Sequence, residues 1–338
     1  MVQNALSFKI QNYYPYHGHF DIFAPTNFPE EPFKLKVLLL LDSVLTKRWA
    51  KWVLPALLIS IVIYVAYGHS LVFDGKTLAP VKGNPWLDRG AAYWANAATA
   101  KLINLLLGQS ELPLWADQIG VGVPLFSDPH NAFFSPFSFI LYAFPSSSGW
   151  DVMTLIRLFI LIFTSYLLFH RVLVSDKESK KVTAFILSLF AAIMFGFSGH
   201  VFYFLNLFHL NSLAFAPLFL LGAIETLENK LSKGLLFVTV SMVLMIFGGG
   251  LLDVILVTVL LFFIVVAYFF QHLNQLNQTS AQLSWLVVFG LLSLLLSAVF
   301  ILPYMNCVLF LSSRSAGVLQ LISTHTGTAL ACFFMSLP

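Results

Sequence analysis

The side chains able to do chemistry in this 338-residue chain fall into two sets. One lies in a stretch rich in Trp, Pro, Gly and Asp: Trp86, Asp88, Arg89, Trp94, Trp115, Asp117, Asp128 and His130. The other stands inside or at the edges of long apolar runs: Arg157, His200, His209 and Asp253, with Arg314 further on. An ionisable group at such depth is costly unless paired or hydrated, so it marks a site or pathway by default. A carboxylate can take a proton from a hydroxyl. A guanidinium can hold a phosphate or neutralise a carboxylate, and a tryptophan can stack on a sugar or anchor a helix at the interface. Each type also has a plainer use. Asp88 precedes an amphipathic stretch, where an aspartate caps free N–H groups. Asp117 and Asp128 sit among turn formers whose backbone they can bond. The histidines lack His-x-x-x-His spacing, so no metal centre is expected. Glycines 248–250 lack the Lys-Ser/Thr ending of a phosphate loop.

These residues need elements to hold them. Apolar residues make up 59% of the chain and charged ones 10%, where soluble domains run at roughly 45–50% and about 25%. One water-soluble core cannot hide that much apolar surface. The expected fold class is an all-α polytopic membrane bundle, with a large first external loop that carries an interfacial amphipathic helix. A helix needs about 20 apolar residues to cross the hydrocarbon. The runs 52–73, 152–174, 183–204, 207–224, 235–247, 254–270 and 283–302 give seven spans, and an eighth starts near Thr328. Lys and Arg collect on cytosolic flanks, and twelve of the 18 fall there when the N-terminus is inside. Residues 1–50 are then a cytosolic extension, 51–338 a membrane domain and 74–151 the first external loop.

In that loop Ala91, Trp94, Ala95, Ala98, Leu102 and Leu105 recur at helical spacing, with Arg89, Asn96 and Asn104 opposite. Such a helix lies along the interface, apolar side down. Pro113, Gly120, Gly122, Pro124 and Pro129 then impose turns. Irregular backbone there must be satisfied by protein or water, so the loop is expected to roof a wet cavity. The short apolar run 37–41 is followed by Asp42 and a basic cluster instead of a cleavage site, so insertion is expected to rely on the first span. A net charge of +3 without a dense basic stripe offers no case for nucleic acid. Cys307 and Cys332 have no Cys-x-x-Cys spacing, which argues against zinc and thioredoxin-like chemistry and leaves an outward-facing disulfide open.

Asp88 is followed in order by "LPLWADQIGVGVPLF", "NAFFSPFSFILYAFP", "FGFSGHVFYFLNLFHLNSLAFAPLFLLGAIE", "GGGLLDV" and "LSAVFILPYMNCVLFLSSRSAG", over roughly residues 70–320. This order resembles the bacterial YfhO-like membrane proteins, grouped with the GT-C type of glycosyltransferases. The chain departs from their pattern at Phe300 and Asn306. Proteins of that family continue well beyond this length, so the chain is expected to be the N-terminal portion of such a protein. The resemblance implies helices around a cavity open to the outer face of a bacterial inner membrane, roofed by a loop with an acidic residue. It implies transfer of a sugar from a polyprenyl-phosphate donor to a cell-envelope acceptor. Asp88 is then the expected base. Arg89 and Arg157 hold the leaving phosphate, and Trp115, Asp128, His130, His200, His209, Asp253 and Arg314 line the substrate site. The cofactor stays open, with a divalent cation among the options.

Two other classes fit part of the pattern. Polar groups at helix breaks also describe a carrier, and the glycine break before Asp253 is of that kind. Against a carrier stand the absence of an internal repeat and the length of the loop. The third class is a noncatalytic scaffold that presents the loop to a partner.

Overall fold

The computed structural model describes residues 50–74, 98–109, 125, 131–173, 181–205, 207–273 and 276–306. Apolar runs of this length leave the backbone no water to bond with in lipid, so its groups pair within helices. Every regular element among the described residues is helical. Helix α1 (Ala50–Ile63) passes through a π-helical turn, Tyr64–Gly68, into α2 (His69–Phe73). Helix α3 (Ala98–Gly108) is the described part of the amphipathic element. Helix α4 (Pro136–Ala143) begins on a proline, whose missing N–H costs nothing at that position. Then come α5 (Ser147–Leu173), α6 (Lys181–Gly196), α7 (Gly199–Tyr203), α8 (His209–Leu213), α9 (Ala216–Leu227), α10 (Leu231–Phe247), α11 (Leu251–Gln271) and α12 (Leu276–Leu296). A last helical stretch covers 298–306.

Among the described residues, six helical stretches are long and apolar enough to cross a membrane: Trp52–Phe73, Ser147–Leu173, Lys181–Tyr203, His209–Leu227, Leu251–Gln271 and Gln278–Leu296. This is a multi-pass membrane protein. Helix α10 is apolar but shorter, at 17 residues. Two of the continuous spans expected from hydropathy are broken. The run 183–204 divides at Phe197 and Ser198, where the Ser198 hydroxyl accepts from the Val201 N–H and caps α7. The run 207–224 divides at Ala214 and Phe215, just before Pro217. There the Thr164 hydroxyl donates to the Ala214 carbonyl at 3.0 Å. Helix α4, an apolar segment inside the expected external loop, was not among the expected spans.

Helices α8 and α9 form the centre. Their window is 78% buried, against 11% for α11 and 17% for the first span. Small residues let backbones approach where lipid supplies no hydrophobic drive between helices. A Cβ on Gly222 of α9 would stand 2.6 Å from the Val238 nitrogen, and one on Gly234 of α10 would stand 2.0 Å from the Thr226 hydroxyl. Ile255, Phe262 and Phe263 of α11 face outward, as lipid-facing residues should.

The helices run up and down, so the molecule has two ends. One gathers the ion pairs of Arg171 with Glu225 (3.1 Å) and Glu228, and of Lys230 with Glu225 (3.2 Å) and Glu228 (2.7 Å). The other gathers the helix breaks at 197–198, 204–205, 207–208 and 248–250.

Candidate functional site

Each break frees carbonyls from helical pairing, and buried carbonyls need donors. Arg157 of α5 is one source. Its side chain is 1% exposed. One terminal nitrogen donates to the Leu207 carbonyl at 3.1 Å and to Asn211 Oδ1 at 3.2 Å. The other donates to Thr154 Oγ1 at 3.0 Å and to the Leu205 carbonyl at 3.2 Å. Nε has no partner, and among the described residues no carboxylate pairs with the guanidinium. A planar fork can serve two carbonyls and two side chains at once, which an ammonium cannot do in the same geometry.

Helix α8 links this arginine to the glycine break. Asn211 faces α5. His209 and Ser212, three residues apart and so on one face, turn toward α10 and α11. The Ser212 hydroxyl donates to the Met245 carbonyl at 2.7 Å and accepts from the Gly250 N–H at 2.9 Å. Gly249 has φ of 84°, which side-chain-bearing residues rarely adopt. A Cβ on Gly248 would meet the Ser212 hydroxyl at 2.7 Å, and one on Gly250 would meet Asp253 Oδ2 at 2.3 Å. The glycines therefore let the break lie directly on α8. Asp253 then falls in the first turn of α11, where the helix N-terminus favours negative charge. Its Oδ2 lies 2.9 Å from His209 Nδ1. The His209 ring also stands 4.8 Å from Phe204, which is 4.8 Å from the exposed ring of His200.

A small cavity adjoins Arg157. Its volume of about 20 Å³ has room for a water. Thr99 of α3, Ser138 and Tyr142 of α4, Trp150 of α5 and Asn211 of α8 line it with Asn131. Burial pushes the Tyr142 phenol well above its ordinary range, with a smaller opposing effect from Ser138. It stays protonated and donates to the Phe133 carbonyl at 3.4 Å. Asn104, on the polar face of the amphipathic helix, donates to the Tyr142 carbonyl at 2.5 Å. That face is turned in part onto α4.

Compared with known proteins, the chain matches no family model, no curated protein and no solved structure.

Of the residues singled out in the sequence, Arg157, His200, His209 and Asp253 are described and meet at one end of the bundle. His209 and Asp253 touch directly, Arg157 joins through Asn211, and His200 joins through Phe204. Asp88, Arg89, Trp115, Asp128, His130 and Arg314 lie outside the described residues. Among the described residues no group of three His, Cys, Asp or Glu could hold a metal ion. Hydropathy and charge overlooked Thr154, Asn211 and Ser212. Their one signal was polarity within an apolar run, as in "FHLNSLAF". Chemically, the arrangement offers an imidazole oriented by a carboxylate and a buried guanidinium beside a small polar cavity.

Proposed function

We propose that the chain is a membrane glycosyltransferase of GT-C type, taking a sugar from a polyprenyl-phosphate donor and giving it to a cell-envelope acceptor. One observation carries this reading. The buried cation and the imidazole–carboxylate pair stand together at one end of a bundle that is otherwise apolar. A lipid-borne donor keeps its tail in hydrocarbon and its phosphate at headgroup level. Groups that hold phosphate and move protons are therefore useful at the end of a bundle and costly deeper down. The resemblance to YfhO-like proteins supports the same reading.

In this reading the membrane is the bacterial inner membrane and the N-terminus is cytosolic. The chain crosses seven times, α10 being the shortest crossing, and the cluster lies outside with the loop at 74–151. Arg89 counters the charge on the departing phosphate, and Arg157 adds its positive field through the protein and not by contact, since both of its terminal nitrogens are already bonded. Trp115, Asp128, His130, His200 and Arg314 complete the substrate site, and the resemblance places the base at Asp88. The acceptor oxygen bonds to the anomeric carbon as the bond from that carbon to the phosphate oxygen breaks. The electron pair leaves on the phosphate, and the acceptor's proton passes to a base.

Membranes containing the chain, incubated with radiolabelled polyprenyl-phosphate hexoses, are expected to label an envelope component that membranes without it leave unlabelled. No difference between the two overturns the reading. The carrier reading draws on the break at 248–250, beside which Asp253 and His209 meet. It predicts flux of intact substrate into vesicles with no label transferred.

A further inference from the structure

Arg157 is a buried cation with no opposite charge beside it among the described residues, and we infer that the cavity it lines binds a small monovalent anion of the halide class. The inference goes beyond the glycosyltransferase reading and does not rest on it. The guanidinium is 1% exposed and stays charged at neutral pH. Its acceptors are the carbonyls of Leu205 and Leu207, Asn211 Oδ1 and Thr154 Oγ1, all of them neutral. Neutral oxygens replace lost hydration in part, but a charge out of water keeps a penalty until an opposite charge joins it. Among the described residues no carboxylate pairs with the guanidinium and none lines the cavity.

The hydrogen-bond donors suit an anion as well. Each terminal nitrogen of Arg157 serves two acceptors, which uses both of its N–H groups and leaves Nε–H without a partner. Asn211 accepts from Arg157 through Oδ1, and no hydrogen bond engages its amide nitrogen among the described residues. The Thr99 hydroxyl of α3 donates to none of them either. Tyr142 and Ser138 are occupied with each other and with the Phe133 carbonyl. Thr99, Arg157 and Asn211 thus bring unused donors from α3, α5 and α8 to one space.

Its size narrows the ligand further. A volume of about 20 Å³ admits one particle near the size of a water. Phosphate, sulfate and sugars are too large. A halide accepts from every side and carries the charge that a water lacks. Occupancy offsets the field that Arg157 adds in the glycosyltransferase reading, and release restores it.

The test follows the line width of chloride NMR with the purified protein in detergent, gluconate balancing the ionic strength. Saturable broadening is expected, displaced by bromide and left in place by sulfate. Asn211→Asp keeps an oxygen on Arg157 and sets a carboxylate beside it, so this variant is expected to lose the saturable broadening altogether. Thr99→Val removes one donor and little volume, and is expected to bind about 10-fold more weakly. Should the aspartate variant not fold, the valine variant still decides. Wild type without saturable broadening overturns the inference, as does displacement by sulfate as readily as by bromide, the mark of surface lysines. So does either variant binding as tightly as wild type. No sugar donor enters these measurements, so their failure is distinct from failure of the glycosyltransferase reading.

Discussion

Arg157 shows how one residue can hold a broken backbone together. Its fork closes the carbonyls of Leu205 and Leu207 and engages Asn211 and Thr154. Removing it strands all four. Arg157→Met is expected to destabilise the protein by at least about 4 kcal/mol, since each unsatisfied buried partner costs roughly 1–3 kcal/mol. Thr154→Val removes a single partner and is expected to cost about 1 kcal/mol. Thermal unfolding of both variants in detergent checks the order, and a silent Arg157→Met would remove the arginine from this role. At this scale the sequence revealed His209, Asp253 and Arg157, because an ionisable group in an apolar run is conspicuous. It did not reveal Asn211, Ser212 or Thr154. Uncharged polar residues are tolerated in spans at modest cost, so only their partners give them meaning.

Between elements, α9 and α10 pack closely. Gly222 and Gly234 leave no room for a side chain. Gly222→Val pushes a side chain into the backbone at Val238, and Gly234→Val pushes one onto Thr226. Each is expected to cost about 2 kcal/mol, within the usual range for overpacking. Gly290 in α12 has open space around its would-be Cβ. Gly290→Ala is therefore expected to leave stability equal or raise it by up to about 1 kcal/mol. Melting points for the three variants separate close packing from a general intolerance of glycine replacement. The glycines at 248–250 belong to the same scale. They were visible in the sequence as a break, while their contact with Ser212 was not.

For the whole molecule, the two ends carry different chemistry. One holds the Arg171, Glu225, Glu228 and Lys230 network, and the other holds the Arg157 and His209 cluster. Ser148 and Asn229 are exposed at opposite ends and report on orientation. With Cys307 and Cys332 replaced, Ser148→Cys is expected to react with a membrane-impermeant maleimide in intact cells. Asn229→Cys is expected to react only after permeabilisation. The reverse pattern would place the cluster in the cytosol and remove the case for a polyprenyl-phosphate donor at the outer face.

The sequence by itself determined that the chain is a bundle of apolar helices, where most of them lie, and that His200, His209 and Asp253 sit near helix ends. Bilayer thickness and the need to pair backbone groups act along the chain, one segment at a time, so hydropathy records them. Tertiary structure alone decided which groups meet. His209 finds Asp253 across 44 residues and Arg157 finds Leu207 across 50. Such meetings depend on how far each helix is rotated and where it breaks. Runs that are apolar on every side leave rotation unspecified, and small residues, glycine turns and a few hydrogen bonds then fix it.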